Sequence, residues 1–416
     1  MMTIWIKTGI RSGILAFRLL IDISVLSMTA RLLEPEGRGL YIGIVVWVYL
    51  FARLFSLSLE NIVVHTATTH IGLNWLPKTF GSLLILTFIL TLLSFTTLWG
   101  LYFFSSGSLF GDIPKHYLLF GFTMIPFLIW NQYQTSILLV INRIEASNRA
   151  QIAGSVALLV LTFFFTYLFE YGVMGALFAR ILSQVLISIL GISVLWKTVK
   201  GYLVFSLREI VNLVRGGIKL HPNTVGNALR SHADVLLINY YLTSIEVAWY
   251  QLSNKLVDIT LMGPQAFSEV ILTRMGKKTV FEIWPEQKRM ILKIIPLMAL
   301  LMCIAYILAP GIIPLVAGNK FEKSVPIFHW LLPVILGRSY GMMMANQIIG
   351  RGLFKLASIL GLSLGLLSLL LNYLFIPEYG IKGAIYAALI SYAIIPVLLN
   401  SIFYWWYNRV DEVIKQ

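Results

Sequence analysis

Glu170-Tyr-Gly-Val-Met-Gly-Ala-Leu-Phe-Ala-Arg-Ile-Leu-Ser183 returns, half a chain later, as Glu378-Tyr-Gly-Ile-Lys-Gly-Ala-Ile-Tyr-Ala-Ala-Leu-Ile-Ser391. Seven of the fourteen positions are identical, and most of the others exchange one apolar residue for another. The tripeptide Tyr-Leu-Phe precedes both copies, beginning at Tyr167 and at Tyr373. A second pairing sets Gly39-Leu-Tyr41 against Ala248-Trp-Tyr250, and the same shift carries Glu60 onto Glu269. A repeat at this offset predicts a duplicated architecture. Its nature follows from what surrounds the two copies.

What surrounds them is apolar. The chain has 416 residues, 58% of them hydrophobic and only 12% charged, with a mean hydropathy of +0.83. A soluble domain carries about 25% charged residues. In lipid each crossing segment must satisfy its own backbone hydrogen bonds, and the dyad alternation of a barrel is missing, so the spans are expected to be helices. At roughly 20 residues per crossing, twelve spans are expected, near 10–31, 38–59, 80–104, 117–141, 151–170, 173–196, 214–241, 246–271, 290–316, 325–349, 353–375 and 381–407. The seventh and eighth are the least apolar, so a plain hydropathy window is expected to miss them.

The expected fold is therefore all-α and polytopic, with two pseudo-symmetric six-helix lobes around a central cavity. Residues 1–200 form the first lobe and 201–416 the second. With six spans in each, equivalent positions keep the same orientation, which makes the repeat a parallel one and suits rocking of one lobe against the other. An even span count puts both ends on one side. Most of the 32 Lys and Arg lie at the ends and in the loops of that side, so both termini are expected in the cytoplasm. The segments Lys197 to Lys219 and Arg274 to Lys293 are the richest in bases. The second mixes them with Phe281, Ile283 and Trp284, and reads either as a basic loop or as a surface amphipathic helix. The N-terminal apolar run, interrupted by Arg18 and Asp22, reads as a retained helix.

Charges inside the spans mark the candidate site, because an ionisable group in hydrocarbon is costly and normally faces a bundle interior or a wet path. Arg11, Arg18 and Asp22 are spaced by seven and four residues in the first span. Tyr49, Arg53, Ser56 and Glu60 share a face of the second. Asn223, Asn227, Arg230 and Asp234 step by four, three and four along the seventh, and Gln251, Lys255, Asp258, Gln265 and Glu269 line the eighth. Such spacings put side chains on one helix face. Arg18–Asp22 and Arg230–Asp234 are the same motif in corresponding helices. Arg11, Arg18, Arg53, Asn223, Asn227, Arg230 and Lys255 are the candidate anion-binding groups, since guanidinium recognises phosphate oxygens bidentately. Asp22, Glu60, Asp234, Asp258 and Glu269 are candidates for a coupling H+ or Na+, or for charge pairs. The competing reading is that all of these are closed ion pairs holding helices together. Arg180 and Arg338 stand alone in the pattern, as lobe-internal partners, snorkelling side chains or cavity groups.

No catalytic or metal constellation is found. The six histidines are scattered, and His65 and His70, five apart, do not share a face as ligands would. His221 borders the stripe of the seventh span, where a satisfied imidazole is the simpler reading. Walker A, GxSxG and HExxH patterns do not occur, so no ATP hydrolysis or enzyme chemistry is expected, nor any cofactor beyond the coupling ion. Cys303 is the single cysteine, which excludes a disulfide framework. The net charge of +14 is explained by basic cytoplasmic loops, and nucleic acid is not expected as a partner.

Three stretches carry a resemblance. Ala30-Arg-Leu-Leu-Glu-Pro-Glu-Gly-Arg-Gly-Leu-Tyr41 follows the first span. Ser231-His-Ala-Asp-Val-Leu-Leu-Ile-Asn-Tyr-Tyr-Leu242 with Trp249-Tyr-Gln-Leu-Ser-Asn-Lys255 forms the hairpin of spans seven and eight. Ile376-Pro-Glu-Tyr-Gly-Ile-Lys-Gly-Ala384 joins spans eleven and twelve. Over nearly its whole length the chain resembles the polysaccharide and O-antigen flippases of the multidrug/oligosaccharidyl-lipid/polysaccharide exporter (MOP) superfamily. Ala248 departs from the glycine usual there. The resemblance implies a bacterial inner-membrane flippase for an undecaprenyl-diphosphate-linked oligosaccharide. It implies membrane lipids, a glycan polymerase and a chain-length regulator as partners, and a role in lipopolysaccharide assembly. It maps the family's cationic cavity onto Arg18, Arg53, Arg230 and Lys255, and its span-seven acid onto Asp234. A lipid II flippase or a multidrug/cation antiporter of the same superfamily is the alternative, and a membrane-embedded glycan polymerase or acyltransferase or a non-transporting scaffold a more distant one. Buried bases that outweigh buried Asp residues favour an anionic cargo.

Overall fold

A computed structural model of the chain describes residues 2–69, 72–265, 268, 280–350 and 353–402. Side chains are placed for all of these except 2–16, 18, 68, 69, 280–284, 286, 345–350 and 354. The chain is 89% helical, with thirteen helices and no strand among the described residues. They are α1 (Met2–Phe55), α2 (Leu59–Thr69), α3 (Leu76–Phe104), α4 (Lys115–Phe122), α5 (Ile125–Val140), α6 (Ile144–Thr162), α7 (Gly172–Thr198), α8 (Leu207–Tyr241), α9 (Ser244–Thr260), α10 (Val280–Ala317), α11 (Ser324–Gly350), α12 (Phe354–Tyr379) and α13 (Ile381–Ala388). Wider π turns extend α6 over Phe163–Leu168 and α13 over Leu389–Ile394.

Over the described residues, each of the twelve expected spans is largely helical. Among the described residues, seven helical segments are long and apolar enough to cross a membrane, and the first of these, Leu19–Phe55, covers most of the first two expected spans without a loop between them. The run breaks at Glu34 (φ 57°, ψ 177°), just before Pro35. Proline disfavours helical geometry in the residue before it, which fits a break at this place. The fourth, seventh, eighth and tenth expected spans are not among these segments; the seventh gives one face to polar residues, and the described helix of the eighth, α9, has 17 residues. Two details differ from the expectation. The fourth span is two helices, α4 and α5, separated at Thr123–Met124 with Pro126 in the first turn of α5, where its missing N–H costs nothing. The ninth begins earlier, since from Val280 onward the basic stretch is part of α10 and not a loop. There the buried Gln287 donates its Nε2–H to the Met343 carbonyl at 2.7 Å.

The chain divides into two compact units, Met1–Ala228 with Thr243–Ile245, and Leu229–Leu242 with Glu246–Gln416. In the first, Ile44, Val48, Phe80, Leu83, Phe122, Tyr133 and Leu177 are fully buried. Polar side chains bind α5 to α7. Asn131 donates to Gln184 Oε1 at 2.8 Å, Gln134 donates to Asn131 Oδ1 at 2.9 Å, and Ser188 donates to the same oxygen at 2.8 Å. Hydrogen bonds of this kind join helices where apolar contact alone gives no preference over lipid. In the second unit Ile238, Tyr250, Phe321, Met343 and Ala384 are buried, while Ile307 and Leu315 on α10 are 74% and 72% exposed. An apolar surface of that size belongs against lipid.

The duplicated motif has a packing reason. A Cβ at Gly175 would run into the Phe165 carbonyl, and one at Gly383 into the Phe375 carbonyl. Each repeat therefore places a glycine where its own helix meets the backbone of the preceding one, and Ala176 and Ala384 beside them are buried. Gly383→Ala is expected to destabilise the protein by about 1–3 kcal/mol, because the clash is with backbone and cannot be relieved by a rotamer change. Thermal unfolding in detergent checks this. A melting curve that coincides with the native one would show that the close approach is dispensable.

Candidate functional site

In the second unit the charges collect around one ring. Tyr392 lies in the π turn of the last span, and the Arg230 guanidinium sits over it at 4.4 Å from the ring centroid. The Arg338 guanidinium lies at 5.1 Å from the same centroid. Arg230 comes from α8 and Arg338 from α11, so two cations from different helices share one aromatic partner. Cation–π contacts are worth about 0.5–2 kcal/mol each, more where water is excluded. Backbone contacts complete the arrangement. Arg230 donates an Nη2–H to the Ser391 carbonyl at 2.9 Å, and the Tyr392 hydroxyl donates to the Arg230 carbonyl. The π turn is what places Ser391 and Tyr392 here, and such single wide turns are frequent at functional sites. Gly337 permits the approach of α11, for a Cβ there would overlap Ala393 and crowd the Tyr392 carbonyl.

The carboxylates of this unit are divided. Asp258 pairs with Arg338 at 2.8 Å. Asp234 is 4% exposed. It accepts the Tyr250 hydroxyl at 2.8 Å and the Val235 amide at 2.8 Å. Although Arg230 and Asp234 are one helical turn apart, they do not pair with each other. No cation lies within ion-pair distance of Asp234 among the described residues. Lys255 is half-buried on α9 without a hydrogen bond or ion pair among the described residues.

In the first unit, Arg53 donates to Gln132 Oε1 at 2.8 Å and lies 3.7 Å from Glu60. This ties α1 to α5 and to the short helix α2. The chain breaks between α1 and α2 with positive φ at Leu57 and Ser58. The break is buttressed by the Tyr133 hydroxyl, which donates to the Ser56 carbonyl at 2.7 Å. Ser58 reaches the seventh span, donating to Thr224 at 2.6 Å and standing 3.3 Å from His221 Nδ1. Asn227 donates to Asn223 at 3.3 Å along α8. Arg180 lies among Tyr41, Tyr49 and Asp22, with its guanidinium 5.8 Å from the Tyr49 ring centroid. The side chains of Arg11 and Arg18 lie outside the described set, and Glu269 is outside the described residues.

Sequence spacing brought Arg53 together with Glu60, and Asn223 with Asn227. It did not find Tyr392, Ser391, Tyr250 or Gln132, which come from other helices. Arg180 and Arg338, isolated in the pattern, prove to be partners of aromatic and acidic side chains within their own units.

Residues 16–277 match the family described as polysaccharide biosynthesis protein. The chain belongs to that family. No curated protein matches the sequence. Among solved structures, an inward-facing multidrug resistance MATE transporter of the MOP superfamily aligns over 96% of this chain and 96% of its own, with a TM-score of 0.70 at 16% identity. The lipid II flippase MurJ, in an inward closed conformation, aligns over 94% of this chain and 86% of its own, with a TM-score of 0.73 at 16% identity. A MOP superfamily transporter from Pyrococcus furiosus, in which reverse polarity of the binding pocket suggests a different function, aligns over 94% and 92% with a TM-score of 0.60 at 15% identity. At such identities the likeness is one of fold. This polysaccharide biosynthesis family member is thus a multi-pass helical membrane protein with the fold of MOP superfamily transporters.

The Arg338–Asp258 pair offers a direct test of how its charges are held. The two side chains are 20% and 40% exposed, so solvent screens their attraction, and a coupling of about 1 kcal/mol is expected. Arg338→Gln and Asp258→Asn should each lower the thermal stability of the purified protein, and the double change should cost less than their sum. Strict additivity in that double-mutant cycle would mean that the contact carries no energy.

Proposed function

We propose that this chain is a flippase that moves an undecaprenyl-diphosphate-linked oligosaccharide repeat unit across the bacterial inner membrane by alternating access. The observation that carries the reading is the pair of guanidinium groups over Tyr392. An aromatic ring steadies a cation without cancelling its charge, so Arg230 stays positive with no carboxylate in ion-pair contact among the described residues. Its Nε–H, like that of Arg180 in the other unit, has no acceptor among them. A diphosphate supplies several strong acceptor oxygens, and guanidinium meets them in a bidentate fork. Family membership in polysaccharide biosynthesis supports a glycan cargo. A cation exporter of the same fold would favour acidic groups at these places.

In this reading Arg230, Arg53 and Lys255 meet the headgroup, with Arg11 and Arg18 as further cationic candidates. Asn223 and Asn227 offer neutral donors on the seventh span. Asp234, buried and held by Tyr250, is the group proposed to take up the coupling H+ or Na+. The basic segments on the N-terminal side argue for cytoplasmic termini. The cargo would be handed to a glycan polymerase and a chain-length regulator on the other face, within O-antigen or related lipopolysaccharide synthesis.

Translocation tests the proposal. At equal protein level, Arg230→Gln and Asp234→Asn are each expected to reduce lipid-linked glycan reaching the periplasmic face by about tenfold or more, the loss expected for a charged group that meets the cargo or the coupling ion. Unchanged translocation in both variants would refute the reading. Normal flipping with lost polymerisation would point to a glycan enzyme instead.

A further inference from the structure

A second basic feature lies wholly within the first unit. Helix α2 and the first half of α8 enclose a cleft of about 470 Å³. Clefts of roughly 300–1,000 Å³ are the size that holds small ligands. From α2 it is lined by Ile62, His65 and Thr66, and from α8 by Asn212, Arg215 and Lys219. One end is shut by tight packing. Gly217 lies so close to the Leu57 carbonyl that a Cβ would overlap it, and Ser58 bonds Thr224 just beyond.

The two faces of α8 differ here. Arg208, Asn212, Arg215 and Lys219 step by four, three and four residues, so they share one face. The same register continues through Asn223 and Asn227 of the expected headgroup-binding set. Arg215 and Lys219 are exposed, and neither is in an ion pair among the described residues. Glu209 also borders the cleft, but its Oε1 accepts the Thr79 hydroxyl at 2.8 Å. Another face is apolar and open, with Leu207 77%, Val211 49% and Ile218 56% exposed, and Phe205 is exposed just before the helix. Bases on one side and bare apolar side chains on the other suit a helix at the membrane surface, where acyl chain and headgroup meet.

A soluble phosphate would use the bases and leave the apolar face idle, whereas a lipid phosphate uses both. We propose that this cleft is a loading site for the diphosphate of a polyprenyl-diphosphate lipid, engaged before the buried arginines. Arg215 and Lys219 clamp the phosphate oxygens, Asn212 and Thr66 add neutral hydrogen bonds, and the prenyl chain lies along Leu207, Val211 and Ile218. The inference rests on the flippase reading and names a separate subsite for it.

The test is binding of farnesyl diphosphate to the full chain in phosphatidylcholine nanodiscs. Arg215→Gln/Lys219→Gln is expected to weaken binding by about tenfold or more. Both positions are exposed, so the fold should be kept, and Arg215→Lys with Lys219 intact should restore most of the affinity. Inorganic pyrophosphate should bind far more weakly than farnesyl diphosphate, and phosphatidylglycerol should not displace it. Native affinity in the double variant would overturn the loading site. So would equal binding of inorganic pyrophosphate, or displacement by phosphatidylglycerol, which would make the cleft a reader of negative charge alone. If Arg230→Gln abolishes binding while the double variant binds normally, the loading site fails and the flippase reading survives. Failure of the native chain to bind also overturns the loading site, and the flippase reading is then decided by translocation alone.

Discussion

A guanidinium group placed inside an apolar helix bundle has to be surrounded by something that tolerates its charge, and the choice of partner decides what the charge can still do. A carboxylate neutralises it. A ring or a carbonyl steadies it and leaves the field positive. This chain uses both solutions. Arg338 takes Asp258 and also faces Tyr392. Arg230 takes Tyr392 and the Ser391 carbonyl, with no acid in contact among the described residues. Much of the local structure serves that second solution. The π turn presents the carbonyl and the ring, and Gly337 lets the neighbouring helix come close enough for Arg338 to reach the same ring.

The repeat in the sequence is matched by some of the contacts in the two units and not by others. Gly175 and Gly383 each lie against a carbonyl of the preceding helix in their own units, Phe165 in one and Phe375 in the other. Tyr41 and Tyr250 occupy equivalent places in the sequence, and both are buried. The cations near them have different origins. In the first unit Arg180 reaches Tyr41 and Tyr49 from the sixth span. In the second, Arg338 arrives from the tenth. Where Tyr49 stands in the first copy, the same shift falls on Asp258 in the second. A ring in one copy and a carboxylate in the other take up an arginine at related positions, which is the expected outcome when two halves keep a packing scheme but diverge in electrostatics.

The fold was legible because it rests on quantities a sequence displays directly. Apolar length sets the spans, and the spacing of Asn223, Asn227, Arg230 and Asp234 sets a helix face. The weak hydropathy of spans seven and eight follows from the same stripes. What stayed hidden depends on encounters between distant helices. Tyr392 in an apolar span looks like any interior or interfacial aromatic residue, and nothing nearby announces two arginines. A π turn has no composition of its own. The break after Phe55 uses left-handed geometry at Leu57 and Ser58, residues that rarely adopt it, so no turn signal exists to be read. The division of the fourth span at Thr123–Met124 was visible only as Pro126, which is equally compatible with a kink.

Helix α8 gathers these constraints into one element. Its first half carries bases at the cleft, its middle carries amides, and its last turns carry Arg230 and Asp234, all in one helical register. Such a helix is a poor membrane span by apolarity, and side-chain hydrogen bonds hold it at several places along its length. Ser58 holds Thr224 and faces His221, Asn227 bonds Asn223, and Tyr250 closes over Asp234. An apolar substitution at Asp234 would raise the hydropathy of the span while leaving the buried Tyr250 hydroxyl without its acceptor, which costs free energy where water is excluded. Selection for stability alone would therefore have to change both sides of every contact together.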